Sequence, residues 1–348
     1  MKKKRKCLYK RIGFGKQPLV VFSREKTHPI TGFTLNEFDE RVDFDFLDEL
    51  APKRKHRGRP PMPFKPMCKM MAGFYCLRLP SISELSRRLK TDKTFREFCG
   101  FAKGKTPSKQ KISEFLINLK KETKKKIFSE FNKQLLRVEY VSTDTIAVDS
   151  CVYKTVNERP DQPKIEKRNN ETGRMKKVHG IKQPTAVSTK TMVCTGFITD
   201  FVGRHDTIYY NDVLDETANN GYDFDYTVGD KGFDSTQIRL DTLLRHGAKA
   251  IIPKREYKTK KKQQKNYRQR RRNLIQFIDK QEDKKYDERT AVERYFSKIE
   301  NVLGLSRLKT RHDHASESML TFAICFDTIC RTTHLYKTLE NAHIPFAQ

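Results

Sequence analysis

The sequence predicts an α/β layer fold with one mixed sheet, preceded by a smaller all-helical region. Three observations carry this. Capped helical segments follow one another as far as about residue 138. At about residue 139 the apolar period shifts from 3.6 towards 2. From there the order is strand, strand, strand, helix, strand, helix, strand, basic insertion, helix, which suits helices layered on a sheet.

Taken in order, residues 1–60 read as a basic, loop-rich arm that ends in R-G-R-P-P-M-P. Residues 61–138 read as the helical region. Ser81-Ile-Ser-Glu84 has the form of a capping box and opens a helix with Leu85 and Leu89. Thr91-Asp-Lys-Thr94 caps a second, with Phe95 and Phe98. Ser108 starts a third, carrying Ile112, Phe115, Leu116 and Leu119 at the helical period. The β-branched run Thr143–Asp149 is the first strand of the α/β domain. Gly180–Lys190 and Met192–Val202 follow as two more, separated by the Ser188–Thr191 turn. A helix with Val213 and Leu214 begins at Asp206, a plausible cap. Tyr226–Gly229 is a strand that ends at Asp230. Asp234 and Ser235 cap a helix carrying Ile238, Leu240, Leu243 and Leu244, which stops at Gly247. Ala248–Ile252 returns as a strand, so the unit is a crossover with parallel strands. A helix over about Asp287–Val302 ends at Gly304, and a last helix covers roughly Ser316–His334. The α/β domain is placed at 139–335, with its basic insertion at 254–284 and a tail at 336–348.

The composition points to a partner. The 348 residues hold 72 Lys and Arg against 43 Asp and Glu, a formal charge of +29. Twenty-two of those charges lie in three segments, 1–11, 53–59 and 254–272, which together contain one acid, Glu256. A charge run is ordinarily a solvated segment. Three runs of one sign fit a polyanion better, and the usual polyanion is nucleic acid. The 23 Phe and 13 Tyr supply a core despite a 36% hydrophobic share. No apolar run approaches the roughly 20 residues that span a bilayer, and the Lys-rich start lacks a signal-peptide core. A secreted or membrane protein is not expected. The eight cysteines show no C-x-x-C pair and read as reduced structural thiols, Cys330 and His334 included.

Two acids stand where a buried strand meets its exit: Asp149 after I-A-V and Asp230 after T-V-G. Strand termini border the functional crevice in open α/β sheets. Glu293 is the third candidate. It borders the apolar stripe of Val292, Tyr295, Phe296 and Ile299, with Arg289 one turn earlier as its possible partner. Any one of these acids alone reads better as a cap or salt bridge. Three converging acids repel one another unless cations bind, and oxygen ligands suit Mg²⁺. Asp144, five positions before Asp149, points to the other face of a strand and is left out.

These residues carry a resemblance. A-V-D-S (147–150), V-G-D-K-G-F-D-S (228–235), A-I-I-P (250–253) and R-T-A-V-E-R-Y-F-S (289–297) resemble the DDE transposases of insertion sequences, a superfamily with a ribonuclease H-like catalytic domain. The R-G-R-P-P segment, S-I-S-E-L-S-R-R-L (81–89) and G-K-T-P-S (104–108) are similar to the helical N-terminal region of the same proteins. The resemblance covers about residues 55–335 in the correct order.

It implies a mixed five-stranded sheet, with Asp149, Asp230 and Glu293 as catalytic acids that hold Mg²⁺ or Mn²⁺, two ions in the family's scheme. It implies DNA cleavage and strand transfer by a 3′-OH, after recognition of terminal inverted repeats. Double-stranded DNA is the expected partner, with a homodimer on two element ends, in the cytoplasm or nucleoid of a prokaryotic cell. The residues expected at the DNA are Arg57, Arg59, Lys231, Arg268, Arg270, Arg271, Arg272, Arg289 and Lys298. Tyr286, Arg289 and Glu293 match the start of a Y-x-x-R-x-x-x-E signature. The family then places a Lys seven positions after the Glu; here that position is Glu300, and Lys298 is the nearest lysine. Two other readings share these residues. One is a transposase-derived DNA-binding protein without catalysis, which Glu300 favours; the other is a metal-dependent nuclease that cuts without joining.

Overall fold

A computed structural model describes residues 9–10, 19–20, 34–52, 60–137, 141, 143–155, 165–168, 175–254, 280–305, 308, 310 and 312–341. The chain forms two compact units. One comprises residues 1–140, 155–157 and 299–348; the other comprises 141–154 and 158–298.

The first unit contains the short antiparallel pair β1 (Tyr9–Lys10) and β2 (Leu19–Val20). Its helices begin earlier than the sequence suggests, with α1 (Leu35–Arg41) and α2 (Phe46–Glu49) inside the segment read as loop. The reason is local: Thr34 and Glu37 form a reciprocal capping box, a signal not noticed in the sequence. Then come α3 (Phe64–Cys76), α4 (Ile82–Thr91), α5 (Lys93–Cys99), α6 (Lys109–Asn118) and α7 (Lys121–Leu136). Ser81, Asp92 and Ser108 cap α4, α5 and α6 by accepting backbone N–H bonds.

The second unit is built on one mixed sheet. Its strands are β3 (Thr145–Lys154), β6 (Gly180–Ser188), β7 (Cys194–Phe197), β8 (Asp200–Phe201), β9 (Tyr226–Gly229) and β10 (Lys249–Ile251). A separate antiparallel pair, β4 (Ile165–Arg168) and β5 (Met175–Val178), lies between β3 and β6 in sequence. The order across the sheet is β10-β9-β3-β6-β7, with two-residue β8 paired to β6 as a sixth strand. β6 pairs antiparallel with both β3 and β7, and β9 and β10 run parallel to β3. This is the ribonuclease H-like arrangement that the resemblance implies.

Helix α8 (Tyr210–Asn219) follows a 3-10 turn at Asp206–Tyr209 and packs on β6 and β7. Gly196 permits that approach: a Cβ there would meet Thr217 Oγ1 at 2.6 Å and the Val213 carbonyl at 2.8 Å. The core on this face joins Ile146, Val148 and Ala186 to Tyr210, Val213, Leu214 and Ile238. Helix α9 (Thr236–His246) ends at Gly247 in the left-handed conformation. Only Ile238 of its expected apolar set enters the core. Leu240, Leu243 and Leu244 are exposed, at 45%, 54% and 72%.

Helices α10 (Lys280–Asp287) and α11 (Thr290–Asn301) follow. The last helix, α12 (Asp313–Asn341), runs 29 residues. The sequence assigned most of it to the α/β domain, but it packs with α7, α6, α3 and α1 of the first unit. Tyr75 donates to the Met319 carbonyl and Ser318 to that of Leu116. Ordinary helical spacing cannot tell which of two cores a helix will join.

Candidate active site

The register of the sheet brings the two strand acids together. In the parallel pair, Val148 lies beside Gly229, so the next residues, Asp149 and Asp230, emerge side by side. The strand does not end at Asp149, as the sequence suggested. β3 continues to Lys154, paired with β6 throughout, and only its β9 neighbour stops. Asp149 therefore sits where one flank of a central strand has lost its partner. Side chains alternate along β3: Ile146 and Val148 enter the α8 core, so Thr145, Ala147 and Asp149 take the opposite face.

The two carboxylates differ in surroundings. Asp149 accepts a bond from its neighbour's amide, Ser150 N, at 2.8 Å. Burial pushes its carboxyl up to about 6; the Ser150 bond and the Arg289 charge oppose this, while Asp230 and Asp206 add to it. Asp230 is exposed. It caps the 3-10 turn Lys231–Phe233 by accepting the Lys231 N–H at 2.7 Å. Cap and site acid are compatible, because one carboxylate oxygen remains.

Helices α10 and α11 approach from the Asp149 face. Lys285 reaches Thr145 Oγ1 at 3.3 Å, and also lies 3.8 Å from Asp144 and over the Tyr226 ring. One turn on, Arg289 is mostly buried and binds Glu293 Oε1 at 2.6 Å. The stripe of Val292, Tyr295, Phe296 and Ile299 is buried, while Glu293 itself is half exposed. The sequence's structural alternative for Glu293, a salt bridge to Arg289, is thus present. Among the described residues no three His, Cys, Asp or Glu side chains lie close enough to hold one metal ion together. The donor chemistry nevertheless suits a hard cation at the strand pair: two carboxylates stand on neighbouring strands, and burial raises the pKa of one of them.

Of the basic residues expected at DNA, Lys231 and Arg289 flank this site, and Lys298 lies half-buried on α11. Arg57, Arg59, Arg268, Arg270, Arg271 and Arg272 lie outside the described residues. Asp206 is a residue that the sequence reading misjudged. It does not cap the turn that it opens: His205 does, its Nδ1 facing Thr207 N. Asp206 instead pairs with Lys182 and adds its charge at Asp149. The available signal was Lys182, a lone cation in the otherwise uncharged run of β6. Asp144 is engaged by Lys190 at 2.8 Å. All seven described cysteines are free thiols, six of them buried. A cavity of about 660 Å³ lies within the helical unit, lined in part by Asp39, Lys69 and Tyr336; none of the acids above lines it.

Comparison with known proteins places these features. A family described as "Transposase DDE domain" matches residues 141–326, just over half of the chain, and one described as "Transposase domain" matches residues 22–117. Among solved structures, the chain is similar to the piggyBac transposase synaptic complex with hairpin DNA, at 13% identity and a TM-score of 0.43, covering 90% of this chain and 74% of that one. It is also similar to the Drosophila P element transposase strand transfer complex, at 9% identity and a TM-score of 0.29, covering 84% and 83%. The Mos1 transposase paired-end complex with left transposon end follows at 12% identity and a TM-score of 0.21, covering 74% and 82%. No curated protein matches the chain. Among the described residues no helix is long and apolar enough to cross a membrane.

Proposed function

The chain belongs to the DDE transposase family, and from that premise we propose that it cleaves the ends of a mobile DNA element and joins them to target DNA, with Asp149, Asp230 and Glu293 as its acids. The observation that carries this reading is the register that sets Asp149 beside Asp230 at the open edge of β3. DDE transposases generally use divalent cations. Asp149 and Asp230 would be the principal ligands here, and Glu293 the third, in competition with Arg289. When bound, Mg²⁺ or Mn²⁺ supplies Lewis-acid stabilisation of the charge on the phosphoryl group under attack.

The chain's own residues do the rest. Ionised Asp149 and Asp230 concentrate negative charge at one point on a strongly basic protein. Two such charges about 4 Å apart repel by roughly 4 kcal/mol at an effective dielectric of 20, a cost that a cation removes. Arg289, charged and close to both, orients Glu293 and lies near the path of a phosphate backbone. The three basic segments supply sequence-independent affinity for DNA. The helical region would read the terminal repeats, and two ends imply a homodimer.

A nicking and joining assay beside a binding assay, with Mg²⁺, Mn²⁺ or EDTA, tests this. Asp149→Asn and Asp230→Asn should abolish metal-dependent cleavage while DNA binding without metal stays equal or tightens slightly. Glu293→Gln should retain a residue of activity, since two acids remain. If the parent binds DNA yet never cuts it with either metal, and both Asn variants match it throughout, the chain is a DNA-binding descendant without catalysis. Cutting without joining would mark a nuclease.

A further inference from the structure

Gln183 is out of place on energetic grounds. It lies within β6 and is 0% exposed, and neither its Nε2 nor its Oε1 has a hydrogen-bond partner among the described residues. A buried amide that forgoes its hydrogen bonds is a cost to the fold. Fold stability is therefore a poor explanation of this glutamine, and a functional one is called for.

The register shows what Gln183 faces. It pairs with Cys151, and Thr185 pairs with Asp149. Directly paired residues share a face of the sheet. Val148 and its partner Ala186 enter the α8 core, so Asp149, Cys151, Gln183 and Thr185 stand together on the opposite face. Gln183 is thereby the diagonal neighbour of Asp149. Such neighbours lie about 7–8 Å apart along the backbone, a gap that a long side chain can bridge. Asp149 also has an acceptor to offer. Its Oδ1 takes the Ser150 N–H, while Oδ2 accepts no hydrogen bond among the described residues. Strand β3 runs between β9 and β6, so Asp230 adjoins Asp149 from one flank and Gln183 from the other.

We propose that Gln183 is a positioning residue of the active site, its Nε2 donating to Asp149 Oδ2 when Asp149 and Asp230 hold a divalent cation. This rests on the reading of Asp149 as a cation ligand. A bound cation keeps that carboxylate ionised, and hydrogen bonds to ionised oxygens are the stronger kind. The bond fixes the orientation of the carboxylate, as outer partners of metal ligands do. The amide thus burdens the empty fold and serves the loaded one, which gives its removal two opposite signs.

The experiment is a Mn²⁺ titration of the intact protein followed by electron paramagnetic resonance, with melting curves in EDTA for every variant. Gln183→Met should melt no lower than the parent in EDTA, yet bind Mn²⁺ about tenfold more weakly. A residue that served packing alone would show the reverse, a lower melting temperature and unchanged affinity. Gln183→Asn keeps the amide but draws it back by one carbon. It should also lose about tenfold in affinity, and that affinity decides the matter if Gln183→Met does not fold. Parent-like Mn²⁺ binding by the folded variants, or a loss of binding by Gln183→Met that comes with a lower melting temperature in EDTA, overturns the proposal. The site reading survives either result, provided that Asp149→Asn has lost the ion. A parent that takes up no Mn²⁺, or an Asp149→Asn variant that binds as the parent does, removes the site reading and this inference with it.

Discussion

Buried charge is paired in both units, Lys124 with Glu317 in the helical unit and Arg239 with Asp234 in the sheet unit, and Asp149 departs from that pattern. In the helical unit, half-hidden acids meet cations: Lys124 binds Glu317 at 2.9 Å with both side chains nearly enclosed, Lys69 binds Asp39, and Lys337 binds Glu37. In the sheet unit, Asp149 is largely enclosed beside two further acids, and neither it nor Asp230 has a salt-bridge partner among the described residues. A paired buried charge fixes helices in place; an unrelieved one is a cost to the fold that a ligand can remove. The comparison locates function where the electrostatics is least satisfied.

The contrast can be broken or sharpened by experiment. The largest effect on stability should come from Lys124→Met, which leaves Glu317 without its enclosed cation. A loss of about 3–5 kcal/mol is expected for stranding one member of a buried pair. Urea unfolding measures it, and a loss below 1 kcal/mol would place this pair among ordinary surface bridges.

Asp149→Asn should act in the other direction. The Asp149 carboxyl is raised from 3.8 to about 6 in the folded protein, chiefly by burial. Its contribution to stability is therefore fully present below about 3.8 and lost as pH rises through about 6. Asparagine carries no such dependence. In EDTA the variant should be more stable than the parent by roughly 2–3 kcal/mol at pH 8, with the gap shrinking at pH 4.5. Equal gaps at the two pH values would show that Asp149 ionises as freely as an exposed acid.

Smaller effects test the local structure. Ser81→Ala removes the bond to Glu84 N at the start of α4 and should cost about 1 kcal/mol. Leu244→Ser, at an exposed position of α9, should change stability by no more than about 0.5 kcal/mol. A loss of 2 kcal/mol there would mean that the leucine is covered in solution.

What could be read along the chain was what is fixed within a few residues. Ser81, Asp92 and Ser108 announced their helices because a cap bonds to a backbone group two or three positions away. Tyr226–Gly229 and the left-handed Gly247 were equally local. One mixed sheet with a parallel crossover followed from the order of the elements, while its strand arrangement came with the family resemblance. Asp149 and Asp230 stood out because each closes a short apolar run. The amphipathic pattern of α9 overstated its burial: sequence shows that a helix has an apolar face, and only packing shows how much of it is used.

Tertiary structure decided the rest, because carboxylates are partnered across space. The register of β3 against β9 set Asp149 beside Asp230, a contact between residues far apart in sequence. The fold tied Asp206 to Lys182, where the sequence offered a helix cap. It sent α12 to the helical unit, since an apolar stripe carries no address. A side chain's type is written in the chain, but the sign and distance of its neighbours arise only when the strands pair.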